Sequence, residues 1–211
     1  MPGLRERFGD VHRKAALIGA VAILCLLSTG CMGFRGGLLE ETRPWPPQSI
    51  PSAKKPSVGV SVLGKCTFNG QPRPLTPAKL DAWVQYTRET YEASGLFSKV
   101  TVGSEGADLR AEIQVADAES GSPALAYICG LTLTVIPCRG RDDLTWQTTF
   151  KDAGGNVLGV VERREQVTLW IQTLLLFGMP FASPKSVARD LFTDLNKATL
   201  LDALERGYVP H

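Results

Sequence analysis

The first thirty-one residues constrain this chain most, because they decide where a fold can begin. A basic start (Arg5, Arg7, Arg13, Lys14) leads into an uncharged apolar run from residue 15 to 27, then Ser28, Thr29, Gly30 and Cys31. A basic region, a short apolar run and small residues before a cut point are the arrangement of an export signal. The run is shorter than the ~20 residues that a membrane-spanning helix needs. Residues 1–30 are therefore set aside from the fold.

At Leu27-Ser28-Thr29-Gly30-Cys31 the segment resembles the lipobox of bacterial lipoproteins, with leucine four residues before the cysteine rather than three. The resemblance implies cleavage before Cys31 and lipidation of that cysteine, so that Cys31 anchors the mature chain to a membrane. Met32 in place of aspartate implies, by enterobacterial-type sorting, the outer membrane, with the domain facing the periplasm; the inner membrane and the cell surface are the alternatives. Residues 31–56 read as a lipidated, disordered tether. They carry Gly33, Gly36, Gly37 and five prolines (44, 46, 47, 51 and 56) with no sustained period. Proline-rich chain is extended and semi-rigid, so this segment is expected to hold residues 57–211, one domain, off the bilayer.

Removing residues 1–30 takes four basic and two acidic side chains from totals of 23 and 21, which leaves a balanced mature chain. That balance argues against nucleic acid, where clustered positive charge is needed. The two histidines are His12, inside the signal, and His211, the last residue. Without an internal histidine, neither Ser-His-Asp nor Cys-His chemistry nor an imidazole zinc site can be built. No metal site and no cofactor are expected, and the expectation is a protein that is not an enzyme.

Two motifs invite a chemical reading and fail it. Gly59, Gly64, Lys65 and Cys66 have the spacing of a phosphate-binding loop, but the interior is strand-like and residues 67–72 cannot open a helix. Asp142-Asp143 and the Glu162–Glu165 charge cluster read as a solvated turn and as exposed ion pairs of little worth.

Cys66, Cys129 and Cys138 remain once Cys31 carries lipid. With residues 131–136 read as one extended strand, Cys129 and Cys138 stand ~25–30 Å apart at ~3.3 Å per residue, whereas a disulfide needs α-carbons within about 7 Å. The expected disulfide is therefore Cys66 with Cys129 or Cys138, three buried thiols being the alternative.

Residues 57–63 alternate small or polar with branched apolar side chains, as a strand does. Thr76-Pro77 and Ser183-Pro184 each place a capping hydroxyl before a proline at the first helical position. Leu80, Trp83, Val84, Thr87 and Tyr91 then recur at helical spacing, as do Val187, Leu191, Leu195, Ala198 and Leu204. Residues 96–102 and 109–115 read as strands, and 145–150 with 157–162 as a hairpin around the turn chemistry of 152–156. The order predicts an α+β fold, a mainly antiparallel sheet with two principal helices on one face.

Two uncharged stretches, 120–138 and 166–184, bracket that hairpin. They read either as buried core or as an apolar patch facing a membrane or a partner. Trp146, Trp170, Leu174, Phe177 and Phe181 are the candidate interaction residues, since tryptophan favours interfaces; core packing is the other reading of both tryptophans.

From Pro56 on, Val58-Gly-Val-Ser-Val62, a helix, Ser94-Gly-Leu-Phe97 and Ala107-Asp-Leu-Arg-Ala-Glu-Ile113 follow one another. This order resembles the curli-secretion lipoprotein and the lipoprotein activators of peptidoglycan synthases, over about a third of the chain. Residues 131–137 and 170–181 are also similar to uncharacterised bacterial lipoproteins. The resemblance implies a non-enzymatic envelope protein, a binding, scaffold or accessory subunit that meets the membrane through Cys31 and another envelope protein through its domain. The alternative is a membrane-engaging secretion or pore-type component that uses both uncharged stretches.

Overall fold

Strict alternation of buried and open positions from Leu109 to Val115 makes that segment a strand with one face in the core, and the rest of the sheet is laid out from it. The computed structural model describes residues 30–39, 44–47, 55–103, 105–173, 175 and 183–209. Its elements are β1 (Gly30–Arg35), β2 (Ser57–Phe68), β3 (Gln71–Arg73), α1 (Pro77–Ala93), β4 (Lys99–Val102), β5 (Leu109–Gly121), α2 (Pro123–Leu131), β6 (Cys138–Asp152), β7 (Val157–Gln172) and α3 (Pro184–Glu205). The chain is α+β. Seven strands form one sheet in the order β1-β7-β6-β5-β2-β3, with β4 beside the first half of β2. Pairing is antiparallel except where β2 meets β4 and β5.

Helices α1 and α3 cover one face. Thr76 and Ser183 cap them through their hydroxyls, each with proline at the first helical position. Phe192 of α3 is the central ring, 5.6 Å from Trp146, 5.8 Å from Trp83 and 6.2 Å from Tyr86. A second cluster joins Val58, Val60, Leu109, Phe150, Val161 and Leu200. Two glycines let the layers approach: a Cβ on Gly64 would lie 2.3 Å from the Trp83 ring, and one on Gly159 would lie 2.1 Å from the Tyr208 ring.

The expected strand at 131–136 is corrected. Ser122-Pro123 carries the same capping signature as the two long helices, and Ser122 accepts from the Leu125 N–H to open α2. Residues 132–136 then form a tight turn, left-handed at Leu133 (φ 50) and Thr134 (φ 61). The N–H groups of Thr132, Leu133 and Thr134 find carbonyls in the last turn of α2, Val135 N–H reaches the Thr132 carbonyl, and Ile136 N–H donates to the Thr132 hydroxyl. Local hydrogen bonds therefore replace the ladder that a strand would need. In the other uncharged stretch, residues 166–172 continue β7.

The segment expected as a tether also differs in its described part. Residues 30–35 form β1, an edge strand in antiparallel register with β7 from Arg35↔Val167 to Gly30↔Gln172. The Gly36 N–H then donates to the Gln166 carbonyl at 2.7 Å. A strand of six residues, Gly-Cys-Met-Gly-Phe-Arg, carries no alternation that could stand out before its partner is known.

Candidate anchoring face

Cys31 stands opposite Ile171 of β7, and Ile171 stands opposite Cys138, the first residue of β6. Directly paired residues point to one face, so Cys31, Ile171 and Cys138 form a row at one end of the sheet. With adjacent strands ~4.8 Å apart, Cys31 and Cys138 are about 10 Å apart. The same end carries the turn after α2: Thr173, just past β7, donates its N–H to the Thr134 carbonyl at 3.2 Å.

This turn and α2 are apolar and open. Tyr127, Leu131 and Val135 are 69%, 67% and 63% exposed, and Ile128, Leu133 and Ile136 are exposed beside them. Six large apolar side chains within ten residues have no core beneath them, whereas Cys129 of α2 is buried. An open cleft of about 420 Å³ lies next to the patch, lined by Ser122 and Leu125 of α2 and by Arg139, Arg141 and Thr168 of the sheet face away from the helices. Trp170, paired with Met32 and Arg139, is partly exposed on that same face.

Glu165 holds the segment after β1 in place. It is 1% exposed, and its carboxylate accepts from the N–H groups of Gln166 at 2.8 Å, Leu38 at 3.1 Å and Leu39 at 3.3 Å. Arg35 stands 3.5 Å away and also pairs with Asp194 at 2.7 Å. Burial acts to raise the Glu165 pKa, but the three N–H donors and the Arg35 charge outweigh it and hold the carboxyl below its usual range. The reading of Glu162–Glu165 as wholly exposed ion pairs is corrected at this residue; Arg164 and Glu162 do pair in the open at 2.7 Å.

The cysteines rearrange the disulfide expectation. Cys138 Sγ–H donates to Cys129 Sγ at 2.6 Å, because the helix and turn fold the eight intervening residues back on themselves instead of extending them. Burial first, then the Cys129 sulfur, pushes the Cys138 thiol up to about 11. Cys66 is elsewhere, buried in β2 with its sulfur 4.0 Å from Asp117 Oδ2. The pairing of Cys66 with Cys129 or Cys138 is therefore corrected.

Of the candidate interaction residues, Trp146 is fully buried against Phe192 and belongs to the core. Trp170 is 36% exposed. Leu174, Phe177 and Phe181 lie outside the described residues. The structure thus brings Trp170 and Cys31 to one end of the sheet and separates Trp146 from them. Sequence reasoning missed helix α2, which presents the apolar patch offered as one reading of 120–138, the Glu165 clamp and the Cys129–Cys138 approach. The signal for the first and third was Ser122-Pro123, the same cap that was read correctly at the two long helices.

The two aspartates also separate. Asp143 pairs in the open with Arg141 at 2.8 Å. Asp142, one residue before it and on the opposite face, stands across from Glu119. Lys79 bridges Asp117 and Glu119, reaching Glu119 at 2.8 Å. Burial, followed by the charges of Asp117 and Glu119, pushes the Asp142 carboxyl up to about 6. Adjacent carboxylates on opposite faces cannot act on one substrate together. The phosphate-loop-like spacing at 59–66 lies wholly within strand β2. Among the described residues no group of three or more His, Cys, Asp or Glu could hold a metal ion, and no helix is long and apolar enough to cross a membrane.

No protein-family model and no curated protein matches this chain. Among solved structures, it is similar to a PelC dodecamer from Paraburkholderia phytofirmans, at 11% identity and a TM-score of 0.34, over 82% of this chain and 94% of the other. It is also similar to a minor lipoprotein from Acinetobacter baumannii, at 12% identity and a TM-score of 0.31, over 75% and 90%. TM-scores of this size do not establish a shared fold.

Proposed function

We propose that this chain is a lipid-anchored, non-enzymatic envelope protein whose domain rests directly on the bilayer and serves as a binding or accessory subunit for another envelope component. The observation that carries the reading is the position of Cys31, in register on the sheet and at the same end as the exposed apolar patch. Cleavage before Cys31 would leave a mature chain whose first residues are already strand. No slack then separates lipid from domain, and the patch is held within reach of the membrane surface. One acyl chain binds a bilayer marginally, while two or more anchor it stably. Against a surface supplied by the anchor, the open side chains of α2 and the turn lose contact with water, and Tyr127 suits the polar–apolar boundary.

On this reading the stretch 120–138 contacts lipid as a peripheral helix and turn. The outer membrane and its periplasmic side rest on the lipobox resemblance and on Met32, and the protein partner rests on the resemblance of residues 58–113 to small envelope lipoproteins. The test replaces residues 1–31 with an ordinary cleavable export signal and follows the domain, alongside labelling of the native chain with a fatty-acid analogue. Labelling that Cys31→Ala abolishes, with an unlipidated domain released by alkaline wash, supports the reading. An unlipidated domain that resists the wash would instead favour the secretion or pore-type component. Absence of label on the native chain would overturn the anchor.

A further inference from the structure

The geometry points to a disulfide between Cys129 and Cys138 that staples the apolar turn to the end of the sheet, with Cys66 left as a buried thiol. Cys129 is in the last turn of α2 and Cys138 opens β6, and their sulfurs are already within hydrogen-bonding distance. Neither other cysteine competes. Cys66 is aligned through Asp117 with Leu144, two strands across from β6 and six residues along it from Cys138. At ~3.3 Å per residue and ~4.8 Å per strand, that is ~20 Å, far beyond the about 7 Å limit for α-carbons. Cys31, two strands from Cys138, is also beyond that limit, and on the reading above its sulfur is already committed to lipid.

The bridge has a mechanical role that the turn itself explains. Residues 130–137 carry Leu131, Leu133, Val135 and Ile136 outward, with left-handed backbone at Leu133 and Thr134 and no core below. The turn is held by its own hydrogen bonds and by Thr173, which bonds Leu133 and Thr134, and a turn so lightly tied opens easily in water. Closing it covalently keeps the apolar side chains presented as one surface. The inference rests on the export reading, because the bond requires an oxidising compartment.

Cys138, the more open thiol, is the entry point. Its thiolate attacks one sulfur of a disulfide oxidant, an envelope dithiol–disulfide oxidoreductase, and forms a mixed disulfide while the oxidant's other sulfur leaves as thiolate. The Cys129 thiolate then attacks the Cys138 sulfur and displaces the second oxidant thiolate. The two protein thiols lose two protons and two electrons, and the oxidant ends as a dithiol.

The test uses the mature lipidated chain in detergent, taken from the envelope, with free thiols blocked before unfolding and again after it, and the digest read by mass spectrometry. The expected result is a peptide joining Cys129 to Cys138, lighter by two hydrogens, and blocking of Cys66 only after unfolding. Three blockable thiols, or a bridge that includes Cys66, would overturn the inference. The same chain, reduced and then equilibrated with oxidised and reduced glutathione, separates the two causes of failure. A bridge in that buffer but not in the envelope faults the export reading; no bridge in either faults the geometry. Amide exchange supplies the mechanical readout. In Cys129→Ser and Cys138→Ser chains, exchange at residues 130–136 should quicken roughly tenfold or more while β5–β7 stay protected. Unchanged exchange in the turn would refute the stapling role.

Discussion

Replacing Glu165 with glutamine exchanges one carboxylate oxygen for an NH2 at the point where the segment after β1 is fastened. In the native chain Oε1 accepts from Leu38 and Gln166, and Oε2 accepts from Leu39 and faces Arg35. Glutamine keeps one accepting oxygen and presents an NH2 to two donors. At least two charge-assisted contacts are lost inside a site that is 1% exposed, each worth ~1.5–3 kcal/mol. Allowing for relaxation, the unfolding free energy should fall by about 2–4 kcal/mol at pH 7. Urea unfolding of the mature domain measures it. The sign with pH follows from the depressed carboxyl: its contribution is fully present above the unfolded value of ~4.3 and is lost as pH falls through the folded value. Between pH 7 and pH 3 the native chain should therefore lose stability that Glu165→Gln does not lose. Amide exchange at residues 34–39 should rise together with the destabilisation. A loss under about 0.5 kcal/mol, with unchanged exchange there, would refute the clamp.

Other substitutions probe the core, the Gly159 contact and the Asp142 site. Trp146→Ala should cost ~3–5 kcal/mol, because the ring is buried against Phe192, whereas Trp170→Ala should cost under about 1 kcal/mol; equal losses in urea unfolding would contradict their placement. Gly159→Ala should destabilise by about 1–3 kcal/mol through its clash with the Tyr208 ring, and Tyr208→Ala in the same chain should relieve most of the clash. Asp142→Asn should stabilise. Its carboxyl is raised, so the native chain loses stability as pH rises from the unfolded value of ~3.9 towards the folded value and holds level above it. At pH 7 the gain should be about 1–2 kcal/mol after allowance for partial solvent access. A variant no more stable than the native chain at pH 7 would show that Asp142 is well solvated.

The two long helices were legible because cap, proline and apolar period agreed at Thr76-Pro77 and Ser183-Pro184, and the central strands because alternation survives wherever one face is buried. Residues 131–136 misled for a physical reason. Leu-Thr-Leu-Thr-Val-Ile has the alternation of a strand, yet left-handed backbone at Leu133 and Thr134 and local hydrogen bonds give it a shape that alternation cannot encode. The disulfide expectation failed with it, since its distance was measured along a strand that does not exist. Strand β1 was hidden because an edge strand of six residues draws its definition from β7, more than a hundred residues away in sequence. Glu165 looked like one of four surface charges; only the arrival of Leu38 and Leu39 N–H groups makes it a buried acceptor.

On the proposed function, lipid on Cys31 fastens the α2 end of the sheet against a bilayer. Hydrogen exchange of the lipidated chain on phospholipid vesicles, compared with the same chain lacking lipid in solution, tests it most directly. The expected result is slowed exchange at residues 124–136, with the hairpin turn at 152–156 unchanged. Equal exchange in both samples across 124–136, or protection centred on the hairpin turn, would contradict it.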